Sequence, residues 1–136
     1  MIKGIIAGSF DIIHPGYIKM FEDAKEKCDI LVIALHVDPT IERPEKIKPI
    51  LDYFDRFKIL NSIKYIDQIF PYSTEKDLIE VLKTSKPDVR FLGDDYFGKS
   101  YTGKDLNIPI YYLDRSHKWS TTLFKNKIYE QIKNKT

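Results

Sequence analysis

The stretch Gly8-Ser9-Phe10-Asp11-Ile12-Ile13-His14-Pro15-Gly16-Tyr17 concentrates glycine, a hydroxyl, a carboxylate and an imidazole between an apolar run and an amphipathic segment. Those residue types in that order suit the binding of phosphate. Gly8 lets a ligand approach the main chain, Ser9 can donate to an anion, and Gly16 opens a helix whose first amides and dipole favour negative charge. His14 stands where an imidazole could donate to a phosphate oxygen. Taken alone, the same residues also suit a tight turn with an ordinary capping or core histidine. Three further groups carry related chemistry: Lys46 and Lys48 in a proline-rich stretch, Gly93-Asp94-Asp95 after an apolar run, and Arg115 followed closely by Ser120-Thr121-Thr122. Arginine offers a planar fork to two phosphate oxygens. Ser120 or Thr121 is equally a natural N-cap, and Gly-Asp-Asp is turn chemistry on its own.

A scaffold that gathers these groups is visible in the hydrophobic pattern. Residues 2–7 and 30–37 are apolar without polar alternation, as strands buried on both faces are. Between them Tyr17, Met20, Phe21 and Ala24 recur at helical spacing, while Lys19, Glu22, Asp23, Lys25 and Glu26 fill the other face. The pattern predicts a helix over 52–64, a strand over 68–70, and a helix over 74–85 with Thr74 as N-cap. Strands over 88–92 and 108–113 and a helix over 121–133 follow. Such alternation implies an α/β, Rossmann-like fold: an open parallel five-stranded sheet with helices on both faces. Residues 38–49 and 94–107 read as loops. Ligands of open parallel sheets sit beyond the carboxyl ends of the strands, so segments 8–16, 38–49, 93–104 and 114–122 are expected to converge on one crevice. The lysines of 125–135 read as a solvated helix face.

Composition narrows the classes. A length of 136 residues suits a single domain, 1–136, and 43% hydrophobic with 31% charged residues is the ordinary globular range. Lysine and arginine number 22 against 20 acids, a net charge of +2, too small an excess to hold nucleic acid by charge alone. The one cysteine, Cys28, allows neither an intramolecular disulfide nor a multi-cysteine metal site, so a reducing, cytoplasmic location is expected. The start lacks a signal-peptide pattern, and the longest apolar run, 30–35, is far short of the ~20 residues of a membrane helix. Neither a membrane nor a nucleic-acid partner is expected.

The first stretch resembles the G-x-F-D-x-x-H-x-G-H signature of the nucleotidyltransferase superfamily, matched in place by Gly8, Phe10, Asp11, His14 and Gly16. Within that superfamily the chain is similar to glycerol-3-phosphate cytidylyltransferases over nearly its whole length. Arg56, Gly93-Asp94-Asp95, and Arg115 with Ser120-Thr121-Thr122 resemble later family motifs in the right order, the last being R-T-x-x-x-S-T-T. The resemblance implies transfer of CMP from CTP to a small phosphorylated polyol, glycerol 3-phosphate being the best single expectation. Pyrophosphate would leave, and a CDP-linked precursor of a cell-surface polymer would form. An adenylyltransferase of the same superfamily, or a nucleotide-binding domain with little turnover, are the alternatives.

By the same resemblance His14, Tyr17, Lys46 and Arg115 would be catalytic. Gly8, Ser9, Phe10, Asp11, His14, Gly16, Gly93, Asp94, Asp95, Arg115, Ser120, Thr121 and Thr122 would surround the nucleotide. Lys46, Lys48, Arg56 and Lys64 would meet the acceptor. Magnesium would arrive with CTP, without a dedicated protein cage, and a homodimer is implied. The chain departs from the signature at Tyr17, where a neutral phenol replaces the second histidine; His117 or Lys118 could compensate. It departs again at Ser116-His117-Lys118-Trp119, and at Lys64, which keeps the charge of an arginine and loses its fork.

Overall fold

The computed structural model describes residues 1–135. The two apolar runs form strands β1 (Lys3–Gly8) and β2 (Ile30–His36), paired in parallel with Lys3 opposite Ile30 and Gly8 opposite Leu35. Beside them stand β3 (Gln68–Tyr72), β4 (Val89–Gly93) and β5 (Ile110–Leu113), in the order β3-β2-β1-β4-β5, every neighbour parallel. Because β1 and β2 are covered on both sides, alternate residues feed two cores. Ile6, Leu31, Ile33 and Leu35 meet Met20, Phe21 and Ala24 of helix α1 (Pro15–Glu26) and Leu60 of α2 (Tyr53–Asn61). On the opposite face Ile5, Val32 and Ala34 meet Leu78 and Leu82 of α3 (Glu75–Ser85). The last helix, α4 (Thr121–Lys135), has no buried residue among those described.

The expected α/β sheet is present, with shifted ends. β3 runs on through Pro71 to Tyr72, which its edge position explains, since a proline nitrogen facing solvent costs the ladder nothing. β5 starts at Ile110 because Pro109 has no N–H to donate, although its carbonyl accepts from Arg90 N at 2.8 Å. α2 stops at Asn61, where Ser62 and Ile63 turn back on Ile59 and Leu60. α3 begins as Thr74 predicts, with a reciprocal capping box between Thr74 and Asp77.

Strand order reverses between β1 and β4, and the ends of β1 and β2 are tied there by one side chain. Arg56 of α2 is 1% exposed. Its Nε donates to Leu51 O (3.0 Å), Nη1 to Ser9 O (2.9 Å) and His36 O (2.6 Å), and Nη2 to Val37 O (2.6 Å). Four of its five N–H groups are therefore spent on carbonyls of three loops. Beside it Asp11, 4% exposed, accepts from Ile50 N (2.7 Å) and Leu51 N (2.9 Å) and pairs with Lys125 Nζ at 2.5 Å. Burial works against the Asp11 carboxylate, but Lys125 and the Leu51 and Ile50 amides outweigh it and hold its pKa below the usual value. Lys125 is thus no part of a solvated lysine face; it anchors α4 to the loop after β1.

Two outcomes follow from these ties. Arg56→Lys keeps the charge and loses the fork, so carbonyls go unpaired at about 1–3 kcal/mol each; urea unfolding should show a loss of about 3 kcal/mol, and a loss under about 1 would show that water replaces the guanidinium. Asp11 has a depressed folded pKa, so its stabilisation is present above the ordinary carboxylate pKa and disappears as pH falls through the folded value. The stability gap between wild type and Asp11→Asn, about 2 kcal/mol near neutrality, should therefore close below about pH 4; a pH-independent gap would contradict it.

Candidate active site

The carboxyl ends of β1, β2, β3 and β4 open into a crevice of about 830 Å³. Gly8, Ser9, Phe10, Asp11, Tyr17, Lys46, Gly93, Arg115, Thr121 and Thr122 all line it, so four segments distant in sequence meet as expected. The loop after β1 owes its path to Phe10, whose backbone takes φ +47°. That conformation is unfavourable for a residue with a Cβ, and the ring offsets it by packing on Tyr17 and Phe21 at centroid distances of 5.3 and 5.5 Å. A Cβ on Gly8 would lie 3.0 Å from the Phe10 ring. Glycine there is what lets the ring tuck under β1 and turn Asp11 towards Arg56 and Lys125.

The N-terminus of α1 carries no side-chain cap. Its cap residue, His14, is extended and makes no side-chain capping bond, Pro15 supplies no N–H, and the first turn holds no acid. The positive end of the helix is therefore uncompensated. His14 itself is 4% exposed and both ring nitrogens lack a partner. It does not line the crevice; it lies behind Tyr17, stacked at 4.2 Å, and Trp119, stacked at 5.6 Å. Burial, and then the charges of His117 and Arg115, lower its pKa and favour the neutral ring.

His117 lies against the same helix end. Its Nδ1 accepts from Trp119 N at 3.0 Å, and its Nε2 is buried without a partner. A Cβ on Gly16 would fall 2.5 Å from Trp119 Cβ, 2.7 Å from His117 Cε1 and 3.0 Å from His14 Cε1. Gly16 is thus the position at which two imidazoles and an indole close over the helix. The 116–119 segment reaches it through Lys118, whose φ is +63°.

Where the signature has its second histidine, Tyr17 lines the crevice with a hydroxyl that accepts from Thr121 Oγ1 at 2.9 Å and keeps its own O–H as a donor. Arg115 donates from Nη2 to Trp119 O (3.3 Å), stands 4.0 Å from Asp95 Oδ1, and keeps a buried Nε without partner. Its backbone N–H bonds Asp94 Oδ1 at 3.3 Å. Asp94 and Asp95 lie outside the crevice lining and brace the Arg115 loop, while a Cβ on Gly93 would come within 2.3 Å of Asp95. Ser120 Oγ accepts from Leu123 N at 3.1 Å and so caps α4.

The residues expected at the acceptor are scattered. Lys46 lines the crevice, whereas Lys48 is turned to Asp38 at 3.9 Å. Arg56 is consumed inside the fold by the carbonyls named above, which reassigns it from ligand contact to holding the loops. Lys64 lies between α2 and β3, at the amino ends of the strands, exposed beside Tyr65 and remote from its own chain's crevice. Residues that the sequence reading passed over also line the crevice: His36, Tyr72, Glu75, Arg90 and Lys125. Arg90 had a signal, since a lone arginine interrupts the otherwise apolar strand Val89-Arg90-Phe91-Leu92-Gly93.

Comparison with known proteins agrees with this geometry. Residues 5–131 match the family model described as cytidylyltransferase-like. The chain is 35% identical over 128 residues to the glycerol-3-phosphate cytidylyltransferase of Bacillus subtilis (strain 168), covering 94% of this chain and 98% of that one. It is 34% identical over 116 residues to the bifunctional protein HldE of a Nitratiruptor species, covering 85% of this chain but spanning only about a quarter (25%) of that protein. Among solved structures, the lipopolysaccharide core biosynthesis protein from Thermoplasma volcanium superimposes with a TM-score of 0.67 at 27% identity, over 84% of this chain and 95% of that one. A crevice at the strand-order reversal, lined by the signature glycine, hydroxyl and arginine, thus coincides with a family match across nearly the whole chain: it belongs to the cytidylyltransferase-like family and is a nucleotidyltransferase.

Proposed function

We propose that the protein transfers CMP from CTP to a small phosphorylated polyol, with glycerol 3-phosphate as the acceptor of first choice. The observation that carries this reading is the convergence of Gly8, Ser9, Arg115, Thr121 and Thr122 on one crevice beside the uncapped end of α1, in a chain that aligns with almost the full length of a glycerol-3-phosphate cytidylyltransferase. In the reaction an oxygen of the acceptor phosphate forms a bond to the α-phosphorus of CTP. The bond from that phosphorus to the bridging oxygen breaks, and its electron pair leaves with pyrophosphate. The attacking oxygen is already anionic, so no base and no protein nucleophile is needed. Catalysis is positioning together with stabilisation of charge.

The chain's own donors divide that work. The α1 amides, with Ser9, Thr121 and Thr122, receive phosphate oxygens, and Arg115 and Lys46 offset charge building on the leaving pyrophosphate. Residue 17 is a phenol that cannot carry positive charge, so the second imidazole of the site is His117. His14 and His117 meet the phosphates when the Trp119 segment lifts from the helix end. Among the described residues no three His, Cys, Asp or Glu side chains converge as a metal cage. Magnesium would be held by the triphosphate oxygens and waters and would reduce the charge of the triphosphate when bound.

Pyrophosphate release with magnesium, offering CTP and ATP separately against phosphorylated polyols, tests the reading. Turnover with CTP and glycerol 3-phosphate is expected, and ATP-only turnover or silence across the panel would overturn it. His14→Ala and His117→Ala should each lower kcat about 10²-fold, whereas Tyr17→Phe should cost under about tenfold; the reverse ranking would return the second donor to Tyr17. Trp119 is the single tryptophan, so CTP binding should shift the intrinsic fluorescence, and an unmoved spectrum at saturation would show that the segment stays closed.

A further inference from the structure

Arg90 is the second residue of β4, between β1 and β5, with Ile5 and Ile110 as its register partners. A side chain there is embedded in the sheet, and Arg90 is 4% exposed. Its guanidinium donates to the carbonyl of Thr102 and lies 5.3 Å from the centroid of the Tyr101 ring. Its Nε is buried and has no partner. Among the described residues no carboxylate lies within ion-pair distance of it, since the ion pairs of this side of the molecule are those of Arg43 with Glu75 (3.1 Å) and of Lys48 with Asp38.

The contrast with Arg56 shows what is unusual. Both arginines are buried, but Arg56 spends four N–H groups on carbonyls and Arg90 spends one side-chain donor on one carbonyl. A buried cation without a counter-charge is destabilising. The low-dielectric surroundings that make it costly also make it a strong attractor for an arriving anion. Arg90 faces open space rather than packed core, for it lines the crevice together with Tyr72, Tyr101 and Thr102. This arm lies on the face of the sheet that carries α3, below the loop 94–107. With the Tyr101 ring centroid 5.3 Å from the guanidinium carbon and Thr102 O on Nη1, Nε stays unpartnered, and a guanidinium with unspent donors can receive oxygens of one anion. The wall opposite is polar: Glu75 Oε1 accepts from Thr102 Oγ1 at 3.2 Å and from Arg43, offering groups that can exchange hydrogen bonds with hydroxyls.

We propose that Arg90 is the seat of the acceptor's anionic head, a phosphate monoester, and so determines which acceptors this enzyme takes. The proposal rests on the assignment of the crevice to nucleotidyl transfer and deepens it: nucleotide on the Gly8, Arg115 and Thr121 side, acceptor on the Arg90, Tyr72 and Tyr101 side. Arg90 takes the place that the family resemblance offers to Lys46, Lys48, Arg56 and Lys64.

Calorimetric titration with glycerol 3-phosphate, in magnesium and saturating α,β-methylene-CTP to fill the nucleotide side, tests it on wild type, Arg90→Gln and Arg90→Lys. Arg90→Gln should weaken glycerol 3-phosphate by about 30-fold or more and Arg90→Lys by less, while the CTP affinity read from Trp119 fluorescence stays within about twofold. Should Arg90→Gln fail to fold, Arg90→Lys carries the test through the same selective loss. Unchanged acceptor binding in the variants overturns the proposal. So does a parallel loss of CTP and acceptor, which would make Arg90 an internal tie, and so does wild type that binds CTP but neither glycerol 3-phosphate nor inorganic phosphate, or that binds plain glycerol equally well. Acceptor binding through Arg90 without pyrophosphate release would sink the proposed reaction and leave the seat standing.

Discussion

A guanidinium with almost no exposed surface holds the reacting end of this molecule together. Parallel strands end abruptly, and the loops that follow carry carbonyls that must find donors away from bulk water. Arg56 provides them for the loops after β1 and β2 and for the turn entering α2. The permanent charge and fixed fork of arginine make this possible, since no other side chain can reach four carbonyl oxygens without a donor that titrates. With those loops fixed, Asp11 can receive two amides and Lys125, and α4 is drawn over the crevice despite burying none of its own described residues. The nucleotide wall is consequently as firm as this one set of bonds.

Charge is distributed to match. The whole chain carries a net charge of only +2, yet Arg115, Lys125, Lys46 and Arg90 all border one opening, and an uncapped helix end adds its own partial charge. Acids share the same lining, Asp11 paired with Lys125 and Glu75 with Arg43, while Glu42 and Glu45 also border it. The field at the crevice is thus a matter of placement, and a total taken over the sequence is silent about it.

What could be read beforehand follows the same division. The strands β1 and β2 declare themselves because burial on both faces leaves only Lys3 and His36, at their outer ends, polar, and the signature glycines declare the loop through the Phe10 and Trp119 contacts. Thr74 declares the start of α3 through its side-chain oxygen. Roles that depend on which donor is already spent were not legible. Arg56 and Arg90 are the same residue type in similar isolation along the chain, and only coordinates reveal that one has its donors filled and the other does not. The same holds for Tyr17, whose hydroxyl receives a hydrogen bond from a residue 104 positions away, and for Lys125, which looks like any lysine of a solvated helix until Asp11 is found beside it.

The pairing of β1 with β4 sets the order in which this chain can acquire its working form. β1 finds β2 after one short helical crossover, but its other edge waits for Val89 and Arg90, and the backbone of Lys3 is bonded to Asp88, 85 residues onward. Closing so long a loop is slow compared with forming local contacts. During synthesis the first half of the molecule must therefore exist with one bare, apolar strand edge, the kind of surface that chaperones shield. Only when residue 125 arrives does Asp11 meet its counter-ion, so the crevice is among the last features to form, although its first wall is among the first residues made.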